Sequence, residues 1–231
     1  MNNFYSEMRL NTDTLWESVF NHPFVKGIGD GTLSNDRYTF FLKQDYLYLI
    51  GLSRFYSVGC AKSPTIDEMK YFASLLHTTL HVEMDLHRRT CTDFGIDLND
   101  PENTESAMFT AAYVNLLLKT AYEGSIGDIL AVHLPCAAGF VEIGKLLKSK
   151  GLPENKHYRD WINTYSSQEF EDYAMWLINR FNYYAEQASA SKRSKWFDLY
   201  KSSLKFEYCF FDMSWRKEFW PNGLSSQQGN I

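Results

Sequence analysis

The stretch DILAVHLPCAAGFVEIGKLL, residues 128–147, decides the fold class of this chain. Its apolar residues recur every three to four positions, which is the spacing of one face of an α-helix. Pro135 lies inside this run and predicts a kink just before Cys136, since proline removes a helical hydrogen bond. The residues that share the face are Ile129, Val132, Cys136, Phe140, Ile143 and Leu147.

The same helical period extends outward in both directions, and proline falls mostly where a helix begins or ends. Residues 22–33, which are rich in glycine, are interpreted as a turn, and residues 97–103 as a loop. No run alternates in the manner of a strand. We predict helices at about residues 4–20, 35–61, 65–94, 105–121, 126–149, 155–163, 167–188 and 192–216.

These elements favour an all-α protein, namely a single-domain helical bundle over residues 1–220. Residues 221–231 (PNGLSSQQGNI) are polar and rich in small side chains, and they are predicted to be a disordered tail.

Composition excludes several classes of protein. The 231 residues carry a net charge of −5 with no basic cluster, which argues against nucleic acid as a partner. We find neither a signal peptide nor a stretch approaching the roughly 20 apolar residues that span a membrane, so a soluble cytoplasmic protein is expected. The four cysteines show no CxxC spacing and are expected to be thiols. The aromatic content of 16% suggests a pocket for a flat ligand.

Two further helices place a carboxylate on an apolar face. In FFLKQDYLYLIGL (residues 40–52), Asp45 shares its face with aromatic and aliphatic side chains. In YKSSLKFEYCFFDMSW (residues 200–215), Glu207 lies among aromatic rings, where the pKa of a carboxyl group is raised. A buried carboxylate is costly unless it is paired or functional, so a structural ion pair is the alternative at both positions.

Cys136 allows two interpretations. A lone cysteine on an apolar face is usually a small core residue. At a predicted kink, however, the small residues Ala137, Ala138 and Gly139 leave space beside the thiol. Cys136, Asp45 and Glu207 could therefore form one site for a heteroaromatic substrate, if their three helices converge.

The segment HTTLHVEMDLH (residues 77–87) offers a competing metal site. His77 with His81, and Glu83 with His87, are pairs at helical i,i+4 spacing, which can hold a metal ion. The two pairs lie on different sides of the helix, so surface and interhelical histidines are the preferred interpretation.

Several segments together resemble the TenA (thiaminase II) family. The opening residues 15–49 contain a tryptophan, HPF, GTL and QDYLYL in the family's order. They are followed by EMDLHRRTCTDFGI (83–96), AAYVNLLL, HLPC and KFEYCFFDMSW, so that the resemblance covers about residues 15–217.

The resemblance implies a haem-oxygenase-like fold that holds neither haem nor any other cofactor or metal, assembled as a homotetramer. It implies hydrolysis of 4-amino-5-aminomethyl-2-methylpyrimidine, and of thiamine, to the hydroxymethyl pyrimidine in thiamine salvage. By position in the motifs, Cys136 matches the nucleophile, and Asp45 and Glu207 match the other catalytic groups. The substrate-binding residues implied in the same way are Tyr48, Tyr113, Phe140, Tyr165 and Phe210.

One position departs from the family pattern, and two other functions stay open. Many relatives carry a tyrosine where this chain has Phe140, which affects the expected substrate preference. The small residues after Cys136 also suggest a roomier pocket. The alternatives are a metal-dependent oxygenase that uses the histidines of residues 77–87, and a non-enzymatic pyrimidine-binding or regulatory protein.

Overall fold

A computed structural model describes residues 3–96, 105–221 and 224. Within these ranges the chain is helical and no residue lies in a strand, which confirms the all-α prediction. The α-helices are α1 (Phe4–Leu10), α2 (Asp13–Phe20), α3 (Pro23–Asp30), α4 (Asn35–Lys62), α5 (Ile66–Thr78), α6 (Met84–Asp93), α7 (Met108–Glu123), α8 (Ile126–Ser149), α9 (Lys156–Tyr165), α10 (Gln168–Glu186) and α11 (Ala190–Arg216).

The described residues group into two compact units. The first unit contains residues 3–33 and 124–211, and the second contains residues 34–96, 105–123, 212–221 and 224. A single domain over residues 1–220 stays a prediction. The predicted loop at 97–103, and most of the predicted tail, lie outside the described residues.

The prediction of a turn at residues 22–33 is wrong, because most of this segment forms α3. His22 caps the helix by accepting a hydrogen bond from the amide of Phe24, and Pro23 occupies the first turn, where its missing N–H is not needed. Gly31 ends the helix in the left-handed conformation, with φ of 73°. Gly31 therefore marks the end of α3. Fully buried side chains such as Ile28 anchor this helix in the core.

The predicted helix at 65–94 exists but is not uniform. A π-helical turn, Thr79–Glu83, separates α5 from α6. Such turns are rare and occur often at functional sites. Apolar spacing cannot reveal the change in helical pitch. The predicted helix at 4–20 is likewise divided into α1 and α2 by a turn at Asn11 and Thr12.

Residues 128–147 form most of α8. This helix begins and ends at the predicted residues. Contrary to the sequence-based expectation, α8 is long and apolar enough to cross a membrane by length and composition. In its most apolar window, 83% of the residues are buried within the protein, as they are in the core helix of a globular protein. The helix is continuous through Pro135.

Candidate active site

In the first unit, Cys136 and Glu207 lie at the same level of two helices that run side by side. Near the start of these helices, Gly127 of α8 lies against Trp196 of α11. Further along, the rings of Phe140 and Phe211 are 6.0 Å apart. The two helices therefore run in the same direction. Cys136 precedes Phe140 by four residues, and Glu207 precedes Phe211 by four, so both lie one turn before the ring contact.

The two side chains differ in their exposure to solvent. Cys136 is half-buried and is a thiol, as are the other three cysteines. Glu207 is buried, with 4% of its surface exposed. The prediction that Glu207 lies on a buried face of its helix is confirmed, since Tyr200, Leu204 and Phe211 on the same face are also buried.

Aromatic rings form a wall beside this pair. Phe140 lies 4.7 Å from Tyr165 and 5.7 Å from Trp161 of α9, measured between ring centroids. Tyr165 and Trp161 are themselves 4.6 Å apart. Phe210 is buried, but it is its neighbour Phe211 that contacts Phe140. Rings at these separations offer faces and edges on which a planar heterocycle can stack.

Gly144 explains how Tyr165 comes so close to α8. A methyl group added at Gly144 would lie 2.7 Å from the carbonyl carbon of Tyr165 and 2.8 Å from the amide nitrogen of Ser166. The end of α9 can pack directly on α8 only because residue 144 has no side chain. The sequence did not suggest this role for Gly144.

The expectation of a roomier pocket beside Cys136 is wrong at Gly139. A methyl group at Gly139 would lie 2.4 Å from the ring of Trp16, which therefore fills the space above this residue. Ala137 and Ala138 are also buried. Gly139 therefore accommodates the tryptophan of α2.

Burial disfavours the charged form that His133 would need in a thiolate–imidazolium pair with Cys136. Burial lowers the pKa of His133 to about 3, so its ring is neutral at physiological pH. Its Nε2 lies 2.6 Å from the hydroxyl of Tyr173, in a contact that occupies one ring nitrogen.

In the second unit, Asp45, Tyr48 and Tyr113 form a second group of candidate residues. Asp45 and Tyr48 are three residues apart on α4, and the Tyr48 ring lies 5.2 Å from the Tyr113 ring on α7. The two helices approach closely because Gly51 lies against Val114, where an added methyl group would be 2.6 Å from Cγ1. Both tyrosines are buried.

Asp45 is not in a strong ion pair. Its side chain is 16% exposed, and burial raises its pKa to about 7. The Nε2 of His87 is 3.8 Å from Oδ2 of Asp45, but that nitrogen donates a hydrogen bond to the carbonyl of Leu42 at 2.7 Å. Burial also lowers the pKa of His87, which favours the neutral imidazole over the charged form that would pair with Asp45.

Glu83 is a third carboxyl group of note, and sequence reasoning assigned it only to a histidine pair. Burial, and to a smaller extent the negative charge of Asp45, raises the pKa of Glu83 to about 7. A hydrogen bond from Thr79, with Oγ1 3.5 Å from Oε1, acts weakly in the opposite direction. The π-helical turn carries both Thr79 and Glu83.

These values predict that Asp45→Asn stabilises the fold at alkaline pH. The folded pKa of Asp45 lies above that of the unfolded chain, so this residue costs stability as pH rises from about 4 to about 7. Removing the charge should recover up to about 4 kcal/mol at pH 8, at about 1.4 kcal/mol per pKa unit. Urea unfolding at pH 5 and pH 8 measures the gain in the free energy of unfolding.

Asp85→Asn is the control, since this carboxylate is half exposed and paired with Arg88. An equal gain at both pH values would contradict the prediction.

Sequence reasoning missed several side chains of these groups. Glu83 and His87 were considered only as a possible metal-binding pair, because their relation to Asp45 depends on the packing of α6 and the π-helical turn against α4. Trp161 was not identified because a tryptophan on an amphipathic helix is ordinarily a core residue. Its buried indole N–H, however, has no hydrogen-bond partner among the described residues. Within the described part of the chain, no three His, Cys, Asp or Glu side chains cluster as metal ligands would.

An all-helical protein with these motifs belongs to a known family. The chain matches the model of the TENA/THI-4/PQQC family over residues 10–217, and we therefore assign it to that family. The resemblance to TenA proteins seen in the sequence is confirmed, and this membership indicates a soluble protein.

One curated relative and two solved structures define the comparison. The chain is 38% identical over 220 residues to an aminopyrimidine aminohydrolase of Halalkalibacterium halodurans, which covers 94% of this chain and 97% of the relative. A TenA homologue from P. horikoshii OT3 superposes with a TM-score of 0.87 at 27% identity, over 93% of this chain and 99% of the other. A domain of haem-oxygenase-like fold from Shewanella denitrificans OS217 gives a TM-score of 0.71 at 13% identity, over 92% of each chain. The last comparison concerns the fold alone and confirms that it is haem-oxygenase-like.

Proposed function

We propose that this protein is an aminopyrimidine aminohydrolase. It hydrolyses 4-amino-5-aminomethyl-2-methylpyrimidine, and thiamine, to 4-amino-5-hydroxymethyl-2-methylpyrimidine in thiamine salvage. The similarity to relatives of that name, over nearly the whole of each chain, supports a hydrolase acting on carbon–nitrogen bonds. The main support for the proposal is that Cys136 on α8 and Glu207 on α11 lie at the same height along their two helices. The aromatic rings described above lie beside them.

Cys136 is the nucleophile in this scheme. Its thiolate adds to a ring carbon of the pyrimidine, while Glu207 gives a proton to a ring nitrogen. Electrons then return from the ring and expel the substituent on the methylene, as ammonia or as the thiazole. Water adds to the methylene, the ring nitrogen gives back its proton, and the thiol leaves. The sum of these steps is hydrolysis of one carbon–nitrogen bond.

The other candidate residues bind and orient the pyrimidine. Asp45 and Tyr48 hold its amino edge, and Tyr113 packs against Tyr48. Phe140, Tyr165 and Phe210 provide apolar and aromatic surface for the ring. Because Phe140 has no hydroxyl, contacts at this position are made by an apolar ring alone, which favours stacking over hydrogen bonding.

The test is a product assay. Purified protein is incubated with the aminomethyl pyrimidine and, separately, with thiamine, and hydroxymethyl pyrimidine is followed by chromatography. Product from either substrate supports the proposal, and the faster substrate identifies the physiological leaving group. Absence of product from both would reject the hydrolase.

We also propose that the protein is a cytoplasmic homotetramer. Along α5 and the turn after it, apolar residues form an exposed stripe, with Ile66 63% exposed and both Met69 and Leu80 40% exposed. A stripe of this kind is costly in water and would be covered by another copy of the chain. Light scattering coupled to gel filtration should give four times the chain mass of 26.9 kDa. A monomer at micromolar concentration would contradict this.

A further inference from the structure

The indole N–H of Trp161 is a buried hydrogen-bond donor that the protein itself does not pair. Trp161 lies on α9 with 8% of its surface exposed, and its Nε1 has no hydrogen-bond partner among the residues that the structure describes. An indole nitrogen can only donate. Buried polar groups are nearly always paired, and leaving one unpaired costs free energy, so this donor requires an explanation.

Other buried rings that carry a polar atom do have partners. The hydroxyl of Tyr158, one turn before Trp161 on α9, donates to the carbonyl oxygen of Leu33 at 2.8 Å. The Nε1 of the buried Trp16 donates to the hydroxyl of Tyr200 at 3.1 Å. The fold therefore provides acceptors for comparable rings, and the unpaired donor of Trp161 departs from that pattern.

The position of Trp161 connects this donor with the candidate active site. Its ring centroid lies 5.7 Å from that of Phe140 and 4.6 Å from that of Tyr165. Phe140 follows Cys136 by one turn of α8, which is about 5 Å along the helix axis. The side chain of Phe140 has no polar atom to offer a ligand. Trp161 therefore adds a hydrogen-bond donor to the aromatic wall beside Cys136 and Glu207.

An aminopyrimidine carries the acceptors that such a donor needs. The lone pairs of its ring nitrogens lie in the plane of the ring, and the hydroxymethyl product adds an oxygen that also accepts. When the pyrimidine stacks on aromatic side chains, these acceptors point sideways, toward the edges of neighbouring rings. The N–H of Trp161 lies at the edge of its indole. Because no protein acceptor holds it, a bound ligand gains a hydrogen bond without breaking an existing one.

We propose that Trp161 is a further substrate-binding residue, whose Nε1–H donates a hydrogen bond to an acceptor of the bound aminopyrimidine. The acceptor is a ring nitrogen or the oxygen on the methylene group. This inference rests on the proposed function, because it assigns Trp161 to the same site.

Trp196 provides a matched control. It is also buried, with 2% of its surface exposed, and its Nε1 likewise has no hydrogen-bond partner in the described part of the chain. Its ring packs against Gly127, which precedes Cys136 by about 13 Å along α8. Replacing Trp196 therefore removes the same kind of buried group at a distance from the candidate site.

Steady-state kinetics with the aminomethyl pyrimidine compare Trp161→Phe with Trp196→Phe. Trp161→Phe should raise KM about three- to tenfold, the effect of losing one neutral hydrogen bond, and should keep kcat within about twofold. Trp196→Phe should keep KM within about twofold. A native KM in Trp161→Phe, or an equal rise in both variants, would overturn the proposal.

A second measurement detects the hydrogen bond without turnover. Protein labelled with ¹⁵N in its six indole groups is titrated with hydroxymethyl pyrimidine, and the Trp161 signal is assigned by its absence from Trp161→Phe. The Trp161 indole proton should move downfield on binding, while that of Trp196 stays in place. The analogue with a methyl group in place of the hydroxymethyl group distinguishes the acceptors. A shift with both ligands indicates a ring nitrogen, and a shift with hydroxymethyl pyrimidine alone indicates the oxygen.

The two measurements separate this inference from the proposed function. A Trp161 signal that stays in place, or that moves upfield as ring stacking alone would move it, would overturn the role of Trp161 even if wild type forms product. Absence of product from wild type would reject the hydrolase, whereas a downfield shift of the Trp161 signal would still support the contact with the pyrimidine.

Discussion

Cys136→Ser is expected to lower kcat by about a thousandfold or more, on the scale of losing a catalytic nucleophile. A serine hydroxyl is hardly ionised at neutral pH, and His133, whose pKa burial lowers to about 3, is too weak a base to activate it. KM should change little, because the contacts between Phe140 and Tyr165 remain. Steady-state kinetics with the aminomethyl pyrimidine measure both quantities.

A second cysteine provides the matched control. Cys60 is half-buried in the other unit, and its thiol lies 3.8 Å from the carbonyl oxygen of Met69. Serine can make the same contact, so Cys60→Ser should keep activity within about twofold. If Cys136→Ser kept full turnover, water would have to attack the methylene without a covalent intermediate, and the nucleophile would lose its role.

The helical period was sufficient to predict most of the fold. It gave α8 with its correct ends and α4 to within one residue, because long amphipathic helices repeat the same signal many times. It failed for α3, where three glycines in a short segment resembled a turn. It also failed to show the π-helical turn, since a change of pitch over Thr79–Glu83 leaves the apolar spacing nearly intact.

The candidate site was only partly predictable, for a related reason. Asp45 and Glu207 could be found because each is a carboxylate on an otherwise apolar face of its own helix. Glu83 could not, because its significance lies in its interaction with Asp45, on another helix. The roles of Gly144 and Gly139 are also contacts between helices, with Tyr165 and Trp16 respectively. Single-helix patterns carry no information about such partners.

Gly144→Ala is expected to be the most destabilising conservative change at the aromatic wall. The added methyl group would meet backbone atoms of Tyr165 and Ser166 at 2.7 and 2.8 Å, and backbone cannot rotate away as a side chain can. We expect a loss of about 1–3 kcal/mol, the usual cost of overpacking, and a fall in melting temperature of roughly 5 °C. Thermal unfolding followed by circular dichroism measures this.

The same substitution should also affect catalysis, because the end of α9 must shift and carry Tyr165 away from Phe140, 4.7 Å distant in the native fold. KM for the aminomethyl pyrimidine should therefore rise several-fold, which corresponds to a loss of about 1 kcal/mol of binding free energy from the ring contact.

Gly29→Ala is the control, since its added methyl group meets only the flexible end of Leu147 at 2.7 Å. That variant should keep its KM and unfold within about 1 kcal/mol of wild type, because alanine favours a helix over glycine. If both variants lost equal stability, the cost would reflect general crowding around α8. If Gly144→Ala lost stability at unchanged KM, Tyr165 would have no part in holding the substrate.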